Sequence, residues 1–117
     1  MRKKKTGRAF SRPRNQRLAL MRSLARSLVL EERISTTEAK AKELRPFMEK
    51  LVTRSRTDSV ANRRLIMSRV PDAEVVTKLF TVIGPRYLER PGGYIRIVKR
   101  TTRGLTDARK LAYIAFV

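Results

Sequence analysis

Apolar residues recur at helical spacing in four stretches of the chain, and near its end the pattern becomes strand-like. From Asn15 onward, Leu18, Met21, Leu24, Ala25 and Leu28 lie on one helical face, with Arg22 and Arg26 four apart on an adjoining stripe. Ile34, between charged and polar neighbours, fits a short strand. Ser35 and Glu38 have the spacing of a capping box, and Thr36 and Thr37 are alternative caps. The helix that follows from about Glu38 carries Ala41, Leu44, Phe47, Met48, Leu51 and Val52 on one face. Pro46 falls inside that face and predicts a kink or a break, because proline removes an amide donor and clashes one turn back. Arg54 to Asp58 reads as a turn, and Asp58 or Ser59 caps a third helix from Val60 to about Arg69. Pro71-Asp72 opens a fourth, with Val75, Val76, Leu79, Phe80 and Ile83 as its core stripe. Gly84 is expected to end it in a left-handed conformation, and Pro85 to block its continuation.

Residues 94–100 and 111–117 are rich in β-branched and aromatic side chains and predict two strands joined as an antiparallel hairpin. The connecting loop carries Arg103, Arg109 and Lys110. A lone hairpin is marginal, so it must pack on the helices, with the Ile34 segment as a candidate third strand. The expected fold class is α+β: about four helices on a small C-terminal hairpin or three-stranded sheet, with an extended basic N-terminal arm. The expected division is an extended basic arm over 1–14 and one globular α+β domain over 15–117.

Charge changes the picture more than any motif does. The 117 residues hold 29 Lys+Arg against 10 Asp+Glu, a net charge of +19. Self-repulsion at this density opposes compaction, and a polyanionic partner relieves it. Arginine outnumbers lysine about two to one. A guanidinium grips phosphate oxygens in pairs and stacks on bases, so this bias favours nucleic acid over an anionic membrane surface. Cys and His are both absent. That removes disulfides, Cys/His metal sites and Cys or His catalysis. There is no phosphate-binding glycine loop, dinucleotide fingerprint or nucleophile elbow, and every acid stands among basic residues. The expectation is therefore no enzyme, no cofactor and no small-molecule substrate.

The candidate RNA contacts begin in the arm with Arg2, Lys3, Lys4, Lys5, Arg8, Phe10, Arg12 and Arg14, where no acid intervenes and Phe10 is placed to stack on a base. They continue with Arg17, Arg22 and Arg26 on the first helix and the pair Arg63 and Arg64 on the third. Arg86, Arg90 and Arg96 follow, with Gly92 and Gly93 free to bring the backbone close to a phosphate chain. Competing readings are a solvated basic tail, an organelle transit peptide over the first thirty residues, a DNA-binding nucleoid or regulatory protein, and a membrane-active helix.

Four blocks carry a resemblance. They are Ile34-Ser35-Thr36-Thr37-Glu38-Ala39-Lys40-Ala41-Lys42-Glu43-Leu44-Arg45, then Asp58 to Arg64, then Lys78-Leu79-Phe80 with Gly84-Pro85-Arg86, and Arg90-Pro91-Gly92-Gly93-Tyr94-Ile95-Arg96-Ile97. In order and spacing they resemble the family of the bacterial large-subunit ribosomal protein numbered seventeen. The resemblance runs from Met1, so a transit peptide is not expected. It implies a structural role in the large subunit, with 23S ribosomal RNA and neighbouring large-subunit proteins as partners. It further implies a place near the rim of the nascent-chain exit tunnel, a cytoplasmic or organellar ribosome, and no membrane.

Overall fold

The computed structural model of the protein describes residues 13–103 and 110–117. The expected arm, apart from Pro13 and Arg14, lies outside the described residues, as does the tip of the loop between the last two strands. The chain runs through α1 (Arg14–Glu31), β1 (Arg33–Thr37), α2 (Glu38–Ser55), α3 (Val60–Arg69), α4 (Ala73–Lys78), β2 (Ile95–Arg103) and β3 (Lys110–Phe116). It is an α+β fold with the sheet order β1-β3-β2, all antiparallel. The Ile34 segment thus joins the hairpin as its third strand, and β3 lies between the other two. In register, Ile34 faces Ile114 and Ile114 faces Ile97, so one row of isoleucines crosses the inner face of the sheet.

Capping follows the sequence closely. Thr37 is the cap of α2, accepting from the Lys40 amide at 3.3 Å. Ser59 caps α3 and accepts from the Asn62 amide at 3.1 Å. Asp72 caps α4 through the amides of Glu74 and Val75. Each side chain satisfies an amide that the helix itself leaves unpaired. The core takes Ala25, Leu28 and Val29 from α1, the full apolar stripe of α2 with Phe47 at its margin, and Ile66 from α3. Leu18 stays exposed, so the apolar face of α1 is covered only in its C-terminal half.

Two expectations about proline and glycine are corrected. α2 runs unbroken through Pro46, which sits exposed on the helix. Four buried side chains beyond it, Met48, Leu51, Val52 and Ser55, hold the last turns in place against the lost hydrogen bond. Gly84 does not end its helix. α4 passes into a π-helical turn over Leu79–Ile83 and then an α-turn over Gly84–Arg86, with Gly84 at φ −56 and ψ −51. The Gly84 amide donates to the Leu79 carbonyl, five residues back. The wide turn adds a residue to the ladder and resets its register, which is one way a chain carries a helix into a proline. Glycine is needed here for a close approach. A Cβ on Gly84 would collide with the Ser55 carbonyl oxygen, and would stand 2.8 Å from the Ser55 carbonyl carbon and 2.9 Å from the Leu79 oxygen.

A left-handed helix end stands elsewhere. Glu32 ends α1 at φ 64, and its amide donates to the Leu28 carbonyl at 2.7 Å. Its carboxylate meets Arg86 at 2.6 Å and Lys78 at 3.2 Å. Lys78 also donates to the Leu30 carbonyl at 3.0 Å, placing a cation at the negative end of α1. The Arg86 hydrogen bond, helped by Lys78, holds the Glu32 carboxyl below its ordinary value of 4.5 against the opposing effect of burial. Because the folded value is lowered, this stabilisation is present above about pH 4.5 and is lost as pH falls through the folded value. Acid titration followed by circular dichroism should show stability declining below that pH. Glu32→Gln should be less stable than the parent at neutral pH, with a shallower decline in acid.

Candidate nucleic-acid interface

The arginines fall into two groups by what they touch. Arg22 Nε donates to the Arg69 carbonyl at 2.9 Å and another of its nitrogens to the Ser68 carbonyl at 3.4 Å, so it covers the C-terminal end of α3. Arg26 meets Asp72 at 2.5 Å and Glu74 at 3.7 Å. Burial acts most strongly on Asp72 and pushes its carboxyl up, but the Arg26 hydrogen bond and charge and the two capped amides together hold it below the ordinary range. Arg63 forks onto Asp58 at 2.6 and 2.9 Å, with its guanidinium 4.8 Å from the centre of the Phe80 ring. Arg86 is taken by Glu32 and lies 5.9 Å from the Tyr87 ring centre. These four guanidiniums fasten elements together and present only their remaining donors to a partner.

Arg14, Arg17, Arg64, Arg90 and Arg96 meet no carboxylate within ion-pair distance among the described residues. Arg14, Arg64, Arg90 and Arg96 are exposed, and Arg17 is half-buried. Arg2, Lys3, Lys4, Lys5, Arg8, Phe10 and Arg12 lie outside the described residues. At the Pro91-Gly92-Gly93 turn, Gly93 has φ 66, and apart from its immediate chain neighbours no atom stands within 4 Å of where a side chain would begin on either glycine. The turn is open to an approaching chain. Arg56 braces it from within, donating to the Arg90 carbonyl and, at 3.2 Å, to the Tyr94 hydroxyl.

The outer face of the sheet adds cations that sequence reasoning passed over. Register puts Arg33 beside Ala115 and Ala115 beside Arg96 in one row, and Ser35 beside Tyr113 and Tyr113 beside Val98 in the next. The Arg33 guanidinium lies 4.0 Å from the Tyr113 ring centre, and that of Arg100 lies 5.2 Å from it. Arg100 also donates to the Ser35 hydroxyl at 3.0 Å, reaching across β3 to the far strand. The signal was present as alternation: Arg33 and Ser35, Arg96, Val98 and Arg100, Tyr113 and Ala115 are spaced by two and share a face.

Over residues 20–117 the chain matches the family described as ribosomal protein L17. The chain belongs to that family. It is accordingly a structural component of the large ribosomal subunit and acts in translation. The match takes in α2, α3, α4 and all three strands, together with all of α1 but its first residues. Among the described residues no helix is long and apolar enough to cross a membrane.

Proposed function

We propose that this chain, as a member of the ribosomal protein L17 family, takes its place in the large subunit by binding 23S ribosomal RNA through phosphate neutralisation and recognition of RNA shape. The observation that carries the reading is a net charge of +19 on a chain that matches a large-subunit family. In this reading residues 1–14 act as an RNA-binding arm and 15–117 as the body that sets its register. Arg17, Arg22, Arg26, Arg63, Arg64, Arg86, Arg90 and Arg96 contribute phosphate contacts, and Gly92 and Gly93 admit the RNA backbone. The position is near the rim of the nascent-chain exit tunnel in a cytoplasmic ribosome, beside other large-subunit proteins. Sequence specificity is low at duplex segments, since an A-form major groove is too narrow for side chains to read.

Binding of this kind releases condensed counterions. If about six to eight phosphates are engaged, log affinity falls against log salt with a slope of roughly −4 to −7. Removing residues 2–12 leaves Pro13 and α1 intact and takes away Arg2, Lys3, Lys4, Lys5, Arg8 and Arg12. The truncated chain is expected to bind 23S RNA roughly 30-fold more weakly with a shallower salt slope, and to keep the parent circular dichroism spectrum. The decisive measurement is gradient sedimentation of a lysate: the chain should travel with the large subunit. A chain that stays at the top, or binds duplex DNA as tightly as 23S RNA in matched salt, supports a nucleoid protein instead.

A further inference from the structure

We infer that the outer face of the sheet is a second docking surface for the RNA sugar-phosphate backbone, in which Tyr113 holds Arg33 and Arg100 in place and Arg96 completes a three-arginine cluster. The inference rests on the RNA-binding reading above and adds to it a surface separate from the arm. Alternation makes this face of Arg33, Ser35 and Thr37 on β1, Arg96, Val98 and Arg100 on β2, and Leu111, Tyr113 and Ala115 on β3. None is acidic. Of the neighbouring carboxylates, Glu32 is committed to Lys78 and Arg86, and Glu38 to Lys42 at 2.9 Å and Lys99 at 3.7 Å.

Geometry argues for phosphate as the occupant. Arg33 and Arg96 stand in one row two strand spacings apart, about 10 Å, and Arg96 and Arg100 lie four residues apart along β2, about 13 Å. That footprint reaches more than one phosphate. Arg33 and Arg100 approach Tyr113 from opposite diagonals, one from beside Ala115 and the other from the Leu111 end. A guanidinium resting on an aromatic ring keeps its in-plane donors free, and these grip phosphate oxygens in pairs. With its ring occupied by two cations, Tyr113 is a positioning residue rather than a base-stacking platform. Every cation on this face is an arginine. An acidic protein surface would be served equally by lysine, whereas planar two-point recognition is the property of guanidinium.

The test uses the full chain and in vitro transcribed 23S RNA across a potassium chloride series. The triple variant R33Q/R96Q/R100Q is expected to bind at least about tenfold more weakly, with a salt slope shallower by roughly 2 to 3. Among the described residues the Arg96 side chain makes no hydrogen bond and does not rest on the Tyr113 ring, so R96Q should flatten the slope by about 1 without moving the thermal midpoint. Tyr113→Phe keeps the ring and should bind as the parent does, while Tyr113→Leu should lose several-fold. Parent affinity and parent slope in both R96Q and the triple variant would overturn the inference while leaving the RNA-binding reading intact. Failure of the parent chain itself to prefer 23S RNA over duplex DNA would strike the underlying reading instead. Polyglutamate serves as the competing probe: if the triple variant loses it but keeps RNA, the face docks an acidic protein and the inference is wrong.

Discussion

Gly84→Ala is expected to destabilise the protein by about 3 kcal/mol, the upper range for forcing an extra carbon into a packed interior. The atoms in its way are backbone: the Ser55 carbonyl at the end of α2 and the Leu79 oxygen of the π turn. A flexible side chain would swing aside, but the Ser55 carbonyl moves away only if α2 and the segment after α4 separate, and the Leu79 carbonyl only if the π turn itself deforms. Those two elements carry Met48, Leu51, Val52, Leu79, Phe80 and Ile83 in one core. With total stabilities of about 5–15 kcal/mol, such a loss removes a large share of the margin. Thermal unfolding should show the midpoint falling by roughly 15 °C. A fall of a degree or two would mean that the close contact relaxes at little cost.

Tyr94→Ala should cost about 3–5 kcal/mol, as expected for emptying a large buried aromatic site. Tyr94 is completely buried. Its ring centre lies 5.2 Å from that of Tyr87, whose hydroxyl donates to the Val117 carbonyl at 2.6 Å. Its amide donates to Glu49 at 3.3 Å, and its carbonyl accepts from the Val117 amide at 2.9 Å. Its hydroxyl joins Thr53 at 3.1 Å and accepts from Arg56. Tyr94→Phe should cost only about 1 kcal/mol, because Arg56 keeps the Arg90 carbonyl and Thr53 keeps the Glu49 carbonyl. Urea unfolding of the pair separates the packing contribution from that of the hydroxyl. Equal losses in the two variants would place the stabilisation in the polar network.

Periodicity made the helices legible because each buries one stripe, and the caps Thr37, Ser59 and Asp72 were visible as side chains with the right chemistry one residue before a run. The π turn was not legible. Leu79 to Ile83 has the same apolar spacing whether its ladder closes over four residues or five, and Gly84-Pro85 is the usual signature of a stop. What forbids a side chain at Gly84 is Ser55, on another helix. The arginines divide the same way. Arg63 and Asp58 are five apart, and their pairing is local. Arg26 finds Asp72 across 46 positions and Arg86 finds Glu32 across 54, so composition counted them as free cations when the fold had already engaged them. The outer sheet face was legible in principle from alternation alone. Buried periodicity identifies each strand separately, whereas the outward side chains of β1, β2 and β3 become one surface only through the register that joins them.

The placement of β3 has a temporal consequence. It is the central strand of the sheet, yet it follows every other described element along the chain. While the polypeptide is being made, β1 and β2 have no partner until residues 110–116 appear, although the helices are complete well before. Synthesis runs from the N-terminus, so helical packing can begin early, but neither edge strand closes until β3 slides between them. The arginine surface on Arg33, Arg96 and Arg100 is therefore assembled in the final step of folding. A translation product halted at Arg103 would carry nearly all of the positive charge with no sheet to array it.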